Sequence, residues 1–167
     1  MTSPKRSPRP NKCCYGWEDA RASGLGYLWI ENRNIMNYSE AVEFCRKENS
    51  HLIEIDSPAQ LSHAVNKMKI KSIKAKEFRL GWSAVKGWWG GASDSDKEGR
   101  WVWEQTGKPV ERFLWADNEP NSHGEEDNLC FLSWFGYKGA DAAGSYNMYP
   151  LCQIKRCKYI LNHSARH

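Results

Sequence analysis

The segment "EPNSHGEEDNLC", residues 119–130, gathers carboxylate and amide side chains around a proline. Oxygen donors of this kind suit a hard divalent cation: Ca2+ takes about 6–8 oxygens at about 2.3–2.6 Å from carboxylates, amides and carbonyls. Glu119 and Asn121 flank Pro120. An X–Pro bond is the one common place for a cis peptide, which tightens a turn and can aim both flanking side chains at one centre. Carboxylates accept hydrogen bonds and amides also donate them, so an acid–amide set can orient a diol. Glu126 and Asp127 follow in the same segment as further oxygen donors.

The elements that must hold this segment are readable in part. "NYSEAVEFCRKENS" predicts a helix capped by Ser39 or Asn37, with Glu40 and Glu43 in its first turns, where the helix dipole favours acids. Tyr38, Ala41, Val42 and Cys45 recur at helical spacing, which turns Cys45 to the core. "HLIEI" (51–55) reads as a short strand with Leu52 apart from Ile53 and Ile55. "SPAQ" then starts a second helix, with Ser57 as cap, Pro58 in the first helical position and Gln60 three residues on. Leu61, Ala64, Val65 and Met68 stripe one face of that helix, which is expected to end near residue 70. "FRLGWSAV" and "RWVWEQ" are strand-like, with "GWWGGASDSDKEG" a Gly/Ser/Asp loop between them. Residues 105–128 form a long polar loop, of a length that usually carries function or a metal. "LCFLSWF" and "CKYIL" are the remaining strands, so two helices followed by strands give an α+β domain.

Composition narrows the function. The chain has 167 residues, enough for one domain with a real core, and its nine tryptophans need partners for their rings and N–H groups. Lys5, Arg6, Arg9 and Lys12 account for the whole net charge of +4, which leaves the body neutral and argues against nucleic acid as a partner. Residues 1–12 read as a disordered Pro/Ser/basic lead-in before a domain at 13–167. No apolar stretch follows those charges as in a signal peptide, and no window reaches the roughly 18 apolar residues of a membrane span. An export signal would therefore lie outside this sequence. The six cysteines, at 13, 14, 45, 130, 152 and 157, lack C-x-x-C spacing and favour disulfides and an extracellular setting. Fifteen pairings are open on spacing alone. Asn37-Tyr-Ser39 and Asn162-His-Ser164 are N-glycosylation sequons compatible with export.

Taken in order, "CYGW", "YSEAVEFC", "HLIEIDSPAQL", "LGW", "GRWVWEQTGKPVERFLW", "EPN", "EED" before Cys130 and "YN" before Cys152 resemble a C-type lectin-like domain over about residues 14–161. The resemblance implies a double-looped α+β fold whose long loop carries a Ca2+ that coordinates two neighbouring sugar hydroxyls. The same side chains would ligate the ion and hydrogen-bond the sugar. It also implies that Pro120 is cis and that Glu-Pro-Asn marks mannose-type sugars rather than galactose-type ones. Glu126 matches the next ligand, with Asp127 its alternative because the spacing to Cys130 is two residues longer than usual. The family's last ligands come from Trp-Asn-Asp, matched here by "SYNM": Tyr146 replaces the tryptophan and Asn147 keeps the amide. Met148 stands where the acid belongs, and a thioether is a poor ligand for a hard cation. Asp141, in the preceding "GADAAGS", is a carboxylate that could fold back to compensate. The expected ligands are thus Glu119, Asn121, Glu126, Asp127 and Asn147, of which Glu119, Asn121, Glu126 and Asn147 would also contact sugar. The resemblance further implies Cys45–Cys157 and Cys130–Cys152 disulfides, with Cys45–Cys152 the alternative if "YPLC" is the final strand. Cys13 and Cys14 are left free, paired with each other, or linked to a second chain in an oligomer.

Other features have blander readings. Lys67, Lys69, Lys71, Lys74 and Lys76 could meet polyanions but read better as a solvated helix end. Trp88 and Trp89, in the Gly-rich loop, either stand exposed for a partner or fold back. Trp101 and Trp103 alternate into the core, and His123 is a solvent-facing neighbour of the proposed site. No nucleophile, zinc or phosphate-loop motif is present, and adjacent acids such as Glu125 and Glu126 are a poor start for glycoside hydrolysis. The expected function is calcium-dependent binding of mannose-type glycans. The competing one is calcium-free recognition of a protein or another surface.

Overall fold

The computed structural model describes residues 16–30, 33–74, 84–122 and 124–157. The expected lead-in at 1–12, the strand expected at "CKYIL" beyond Cys157, the sequon at Asn162, Cys13, Cys14, Lys76 and His123 lie outside them. Chain order is β1 (Glu18–Ala20), β2 (Gly26–Ile30), α1 (Tyr38–Lys47), β3 (His51–Leu52), α2 (Pro58–Lys74), β4 (Ala84–Ser93), β5 (Val102–Trp103), β6 (Asn128–Leu132), β7 (Gly139–Ala142) and β8 (Asn147–Ile154). The sheet runs β1-β2-β8-β4-β6-β7, with β3 on β8 and β5 on β4. All described pairings are antiparallel except β4 with β8. The α+β architecture is as expected.

Helix α1 starts where its sequence signals it. Asn37 Oδ1 accepts the Glu40 N–H at 2.9 Å while the Glu40 carboxylate accepts the Asn37 N–H at 2.9 Å, a reciprocal capping box. This sequon asparagine is therefore occupied as the helix cap. Ala41 and Cys45 are buried, whereas Val42 stays 37% exposed. Helix α2 continues to Lys74, past the expected end, and buries Leu61, Ala64 and Met68. Lys67 and Lys71 both hold Glu18, at 2.8 and 3.0 Å, so part of the lysine run is tied to β1.

The sheet is covered on both faces, and side-chain alternation sorts its residues between them. Trp88, Leu129, Phe131, Tyr149 and Leu151 join the α2 side of the core with Leu28, Ile53 and Ile55. Trp89, Cys130, Leu132, Met148 and Cys152 join the α1 side with Ala41, Cys45 and Leu52. Leu52 thus parts from Ile53 and Ile55 as expected, although only residues 51–52 form ladder strand.

Strand β4 corrects the expected Gly-rich loop. It runs through "GWWGGAS", and Trp88 and Trp89 are 1% and 0% exposed. Its glycines permit close layering: a Cβ at Gly91 would lie 2.6 Å from the Leu52 carbonyl oxygen, and one at Gly87 would lie 2.6 Å from that of Phe131. Glycine here marks backbone contact rather than a turn.

The disulfides are corrected as well. Cys45 pairs with Cys152, Cα to Cα 5.4 Å, which is the alternative pairing. Neither Cys45–Cys157 nor Cys130–Cys152 forms. The reason is register: β8 is the last described strand, Cys152 within it sits opposite Trp29 and Leu52, and α1 lays Cys45 over that point. Cys130 is a buried free thiol whose Sγ meets the Ala140 carbonyl oxygen at 3.5 Å. Cys157 is disulfide-bonded, to none of these three.

Peptide mapping without reduction is expected to recover Cys45 linked to Cys152, and Cys130 is expected to resist alkylation until the protein is unfolded. The double substitution C45A/C152A, which opens a bridge spanning 107 residues, is expected to cost about 2–5 kcal/mol, read as a lower denaturation midpoint.

Candidate functional site

Between β5 and β6 the described residues of 104–127 hold a 3-10 turn at Arg112–Leu114 and isolated bridges at Pro109 and Trp115. Burial and a few directed hydrogen bonds fix this loop. Leu114 and Trp115 enter the core, and the Ala116 N–H donates to the Gly139 carbonyl at 2.8 Å. Arg112 Nη1 donates to the Glu119 carbonyl at 3.1 Å. The Glu119–Pro120 bond is cis, as the resemblance implies, and Asn118 before it has φ 63°, a left-handed conformation that asparagine tolerates.

The decisive contact comes from β7. Ala140 and Ala142 face the α1 side, so alternation sends Asp141 to the opposite face, where the loop lies. Its carboxylate accepts the backbone N–H groups of Asn121 at 3.1 Å and Ser122 at 2.9 Å. Asn121 Nδ2 donates to Glu119 Oε1 at 2.8 Å, and the Glu119 side chain is buried at 5% exposure. Burial, then the neighbouring Asp141 carboxylate, and then Glu126, push the Glu119 carboxyl up to about 7. Glu126 is raised too, by burial first and by Asp141 second. Burial, Asp141, Glu119 and Glu126 together push the Cys130 thiol well up, which keeps it protonated beneath the acids.

Glu119, Asn121 and Glu126 are therefore brought together as the sequence suggested, and the fourth member is Asp141. Asn147 does not join them. It opens β8 opposite Ala84 of β4, and β4 and β6 both lie between β8 and β7 in the sheet. Met148 is fully buried and its backbone pairs with Met36, so it lines the core rather than replacing a ligand. The reason is again the register of β8: once Cys152 belongs to β8, "SYNM" is the entrance to that strand and the acid lies upstream in β7. Asp127 remains half-buried before β6, its carbonyl accepting the Asp94 N–H at 3.3 Å.

The donor chemistry suits Ca2+: three carboxylates and one amide, all hard oxygens. Asp141 and Glu126 raise the proton affinity of Glu119, Asp141 raises that of Glu126, and a divalent cation would relieve that repulsion. Among the described residues no three His, Cys, Asp or Glu side chains form a ready-made metal cluster. The Asp141 and Glu119 oxygens instead face amide donors, so closing around an ion requires these side chains to turn.

Residues 34–154 match the family described as Lectin C-type domain. Salivary C-type lectin 2 of Aedes albopictus is 33% identical over 104 residues, 60% of this chain and 62% of that protein. Hepatic lectin of Gallus gallus is 27% identical over 119 residues, 71% of this chain and 50% of that protein. The chain thus spans about half to three-fifths of the length of these relatives. In structure it is similar to the C-type lectin domain of murine dendritic cell inhibitory receptor 2, solved in complex with N-glycan. The TM-score is 0.65 and the identity 21%, covering 84% of this chain and 97% of the other. Family match, relatives and fold agree that this chain belongs to the C-type lectin domain family.

Proposed function

We propose that the chain binds mannose-type carbohydrate in a calcium-dependent manner through the turn at Glu119-Pro120-Asn121, completed by Glu126 and Asp141. The observation that carries this reading is Asp141. It supplies, from β7, the carboxylate that the sequence around Met148 lacks, and it grips the backbone of the turn that holds the other donors. Bound there, Ca2+ would accept two neighbouring sugar hydroxyls into its coordination shell. Glu119 and Glu126 would accept hydrogen bonds from those hydroxyls, and the Asn121 amide would donate to one of them. The Glu-Pro-Asn order supports mannose-type rather than galactose-type sugars through the family resemblance. The names of the relatives as lectins support carbohydrate as the ligand class, with glycans or glycoproteins as partners. Catalysis has no support in the geometry, because the acids converge on one turn instead of facing each other across a cleft. Among the described residues no helix is long and apolar enough to cross a membrane. Relatives such as the salivary lectin support an extracellular setting.

A second reading, calcium-free recognition of a protein or another surface, is favoured by one observation: both Asp141 oxygens already face backbone amides. The two readings separate by substitution. Asp141→Asn is expected to weaken both calcium and mannose binding at least about tenfold in calorimetry, since one charged ligand is lost. Asn147→Ala is expected to leave both unchanged. Unchanged calcium and mannose binding in Asp141→Asn would remove Asp141 from the site, and mannose binding that persists in chelator would favour the calcium-free reading.

The charge on Glu119 gives a pH dependence. Its carboxyl, held near 7 in the fold, favours folding while protonated. That contribution is full below the ordinary carboxylate range and is lost as pH rises through about 7. In chelator, denaturation midpoints of the wild type are expected to fall between pH 5 and 7.5 relative to Glu119→Gln, and saturating calcium is expected to restore them. Parallel pH profiles for the two proteins would contradict this assignment.

A further inference from the structure

The sequon Asn37-Tyr38-Ser39 opens helix α1, and the fold fixes how its asparagine is held. The backbone on either side is tied down: the Met36 N–H donates to the Met148 carbonyl and the Tyr38 N–H to the Gly144 carbonyl, both at 2.9 Å. Asn37 itself is half-buried and extended, with φ −71° and ψ 171°. Its Oδ1 accepts two donors, the Glu40 N–H at 2.9 Å and the Ser39 hydroxyl at 3.0 Å. Only the oxygen end of the amide can meet donors, so the orientation of this planar group follows. Oδ1 faces the first turn of the helix and Nδ2 turns away from it. No described residue accepts a hydrogen bond from Nδ2. The bonds of the cap lie at the exposed surface, and Ser39 and Glu40 are themselves exposed.

N-glycosylation joins a bulky, solvated oligosaccharide to the asparagine of Asn-X-Ser/Thr where X is not proline, and the fold must then keep that side chain at the surface. The donor class is an oligosaccharide carried on a lipid diphosphate. Asn37 Nδ2 forms a bond to C1 of the first sugar, and the C1–O bond to the diphosphate breaks. The lipid diphosphate leaves with that electron pair, Nδ2 loses one proton, and nothing is oxidised or reduced. The product is still a planar amide with an Oδ1 acceptor. The capping box uses that oxygen and the backbone N–H of Asn37, which donates to the Glu40 carboxylate at 2.9 Å. Neither atom takes part in the transfer. Cap and glycan therefore use different atoms of one residue.

We infer that Asn37 is an N-glycosylation site, carrying its glycan on Nδ2 while Oδ1 continues to cap α1. Modification requires passage through a secretory compartment, which the Cys45–Cys152 bridge supports. Calcium and sugar binding at the Glu119 turn play no part in it. Ser39 separates the two roles of Asn37: it completes the sequon, whereas the capping box consists of Asn37 and Glu40.

The test is production of the full chain behind a cleavable export signal in insect cells, as wild type, Ser39→Ala and Asn37→Ala, with secreted and cell-retained protein pooled. Trypsin releases residues 34–46 by cutting after Arg33 and Arg46. After reduction and treatment with a peptide N-glycosidase in heavy-oxygen water, this peptide is read by mass spectrometry. Most wild-type copies are expected to show Asn37 converted to labelled Asp, the mark of a removed glycan, and Ser39→Ala is expected to show none. The denaturation midpoint of the glycosylated wild type is expected to equal or exceed that of Ser39→Ala, which keeps the cap. Asn37→Ala loses the cap and is expected to unfold below both. If Asn37→Ala fails to fold, the comparison with Ser39→Ala still decides. An unmodified Asn37 in the wild type would overturn the site and leave this residue a cap alone. A glycosylated wild type that unfolds below Ser39→Ala would overturn the shared use of the side chain.

Discussion

Asp141 holding the amides of Asn121 and Ser122 is the constraint on which the functional end of this molecule depends. The loop from residue 104 to 127 has almost no ladder of its own, and without tethers its conformational entropy would keep it from presenting any fixed set of side chains. One strand residue supplies two of the tethers, and the position of that residue is inherited. Asp141 faces the loop because β7 pairs with β6 in a register that puts Leu129 opposite it. Strand β6 is placed by β4, whose glycines allow the backbone of Leu52 and the carbonyl of Phe131 to close in. The geometry of the turn is in this sense a property of the sheet.

The acids of this domain divide into two kinds. Glu54 is buried at 4% exposure with both carboxylate oxygens satisfied, by the Gln105 N–H at 2.8 Å and the Thr106 hydroxyl at 2.9 Å. Its backbone N–H donates to Gln153 Oε1 at 2.9 Å, and Gln153 Nε2 donates to the Leu25 carbonyl at 2.8 Å. That network is closed and serves to pin the start of the long loop to the core. The set at Glu119, Glu126 and Asp141 is different: Asp141 and Glu126 raise the proton affinity of Glu119, and Asp141 raises that of Glu126. Unrelieved repulsion of this kind is a cost to folding, and such costs concentrate where a site must bind something.

Much of the fold was legible in the sequence because α1 and α2 carry strong local signals in Asn37, Glu40, Ser57 and Pro58, and a helical apolar stripe. The Glu-Pro-Asn turn was legible because X–Pro chemistry is local. What was hidden depended on long-range pairing. Strand β8 is a central strand with Pro150 inside it, paired beside Trp89, and proline in a run ordinarily argues against a central strand. Placing the strand that pairs with Cys45 at "CKYIL" makes Cys152 a loop cysteine, pairs both disulfides wrongly and puts the missing acid at Met148. Strand β7, "GADA", has small residues and only 4 positions, too little for a period to show. The one signal within it was a lone acid among alanines, and its role follows only from the alternation that places Ala140 and Ala142 in the core. Trp88 and Trp89 were misplaced because the glycines around them signal close backbone packing, which looks in sequence like a turn.

The measurement that bears most directly on this account is a calorimetric calcium titration of the chelator-stripped protein, performed without and then with excess mannose. If Glu119, Asn121, Glu126 and Asp141 hold an ion that sugar hydroxyls complete, each ligand must tighten the other by the same factor. The account predicts calcium binding at millimolar affinity or better that strengthens when mannose is present. Calcium binding indifferent to mannose, or no binding up to about 10 mM, would contradict it.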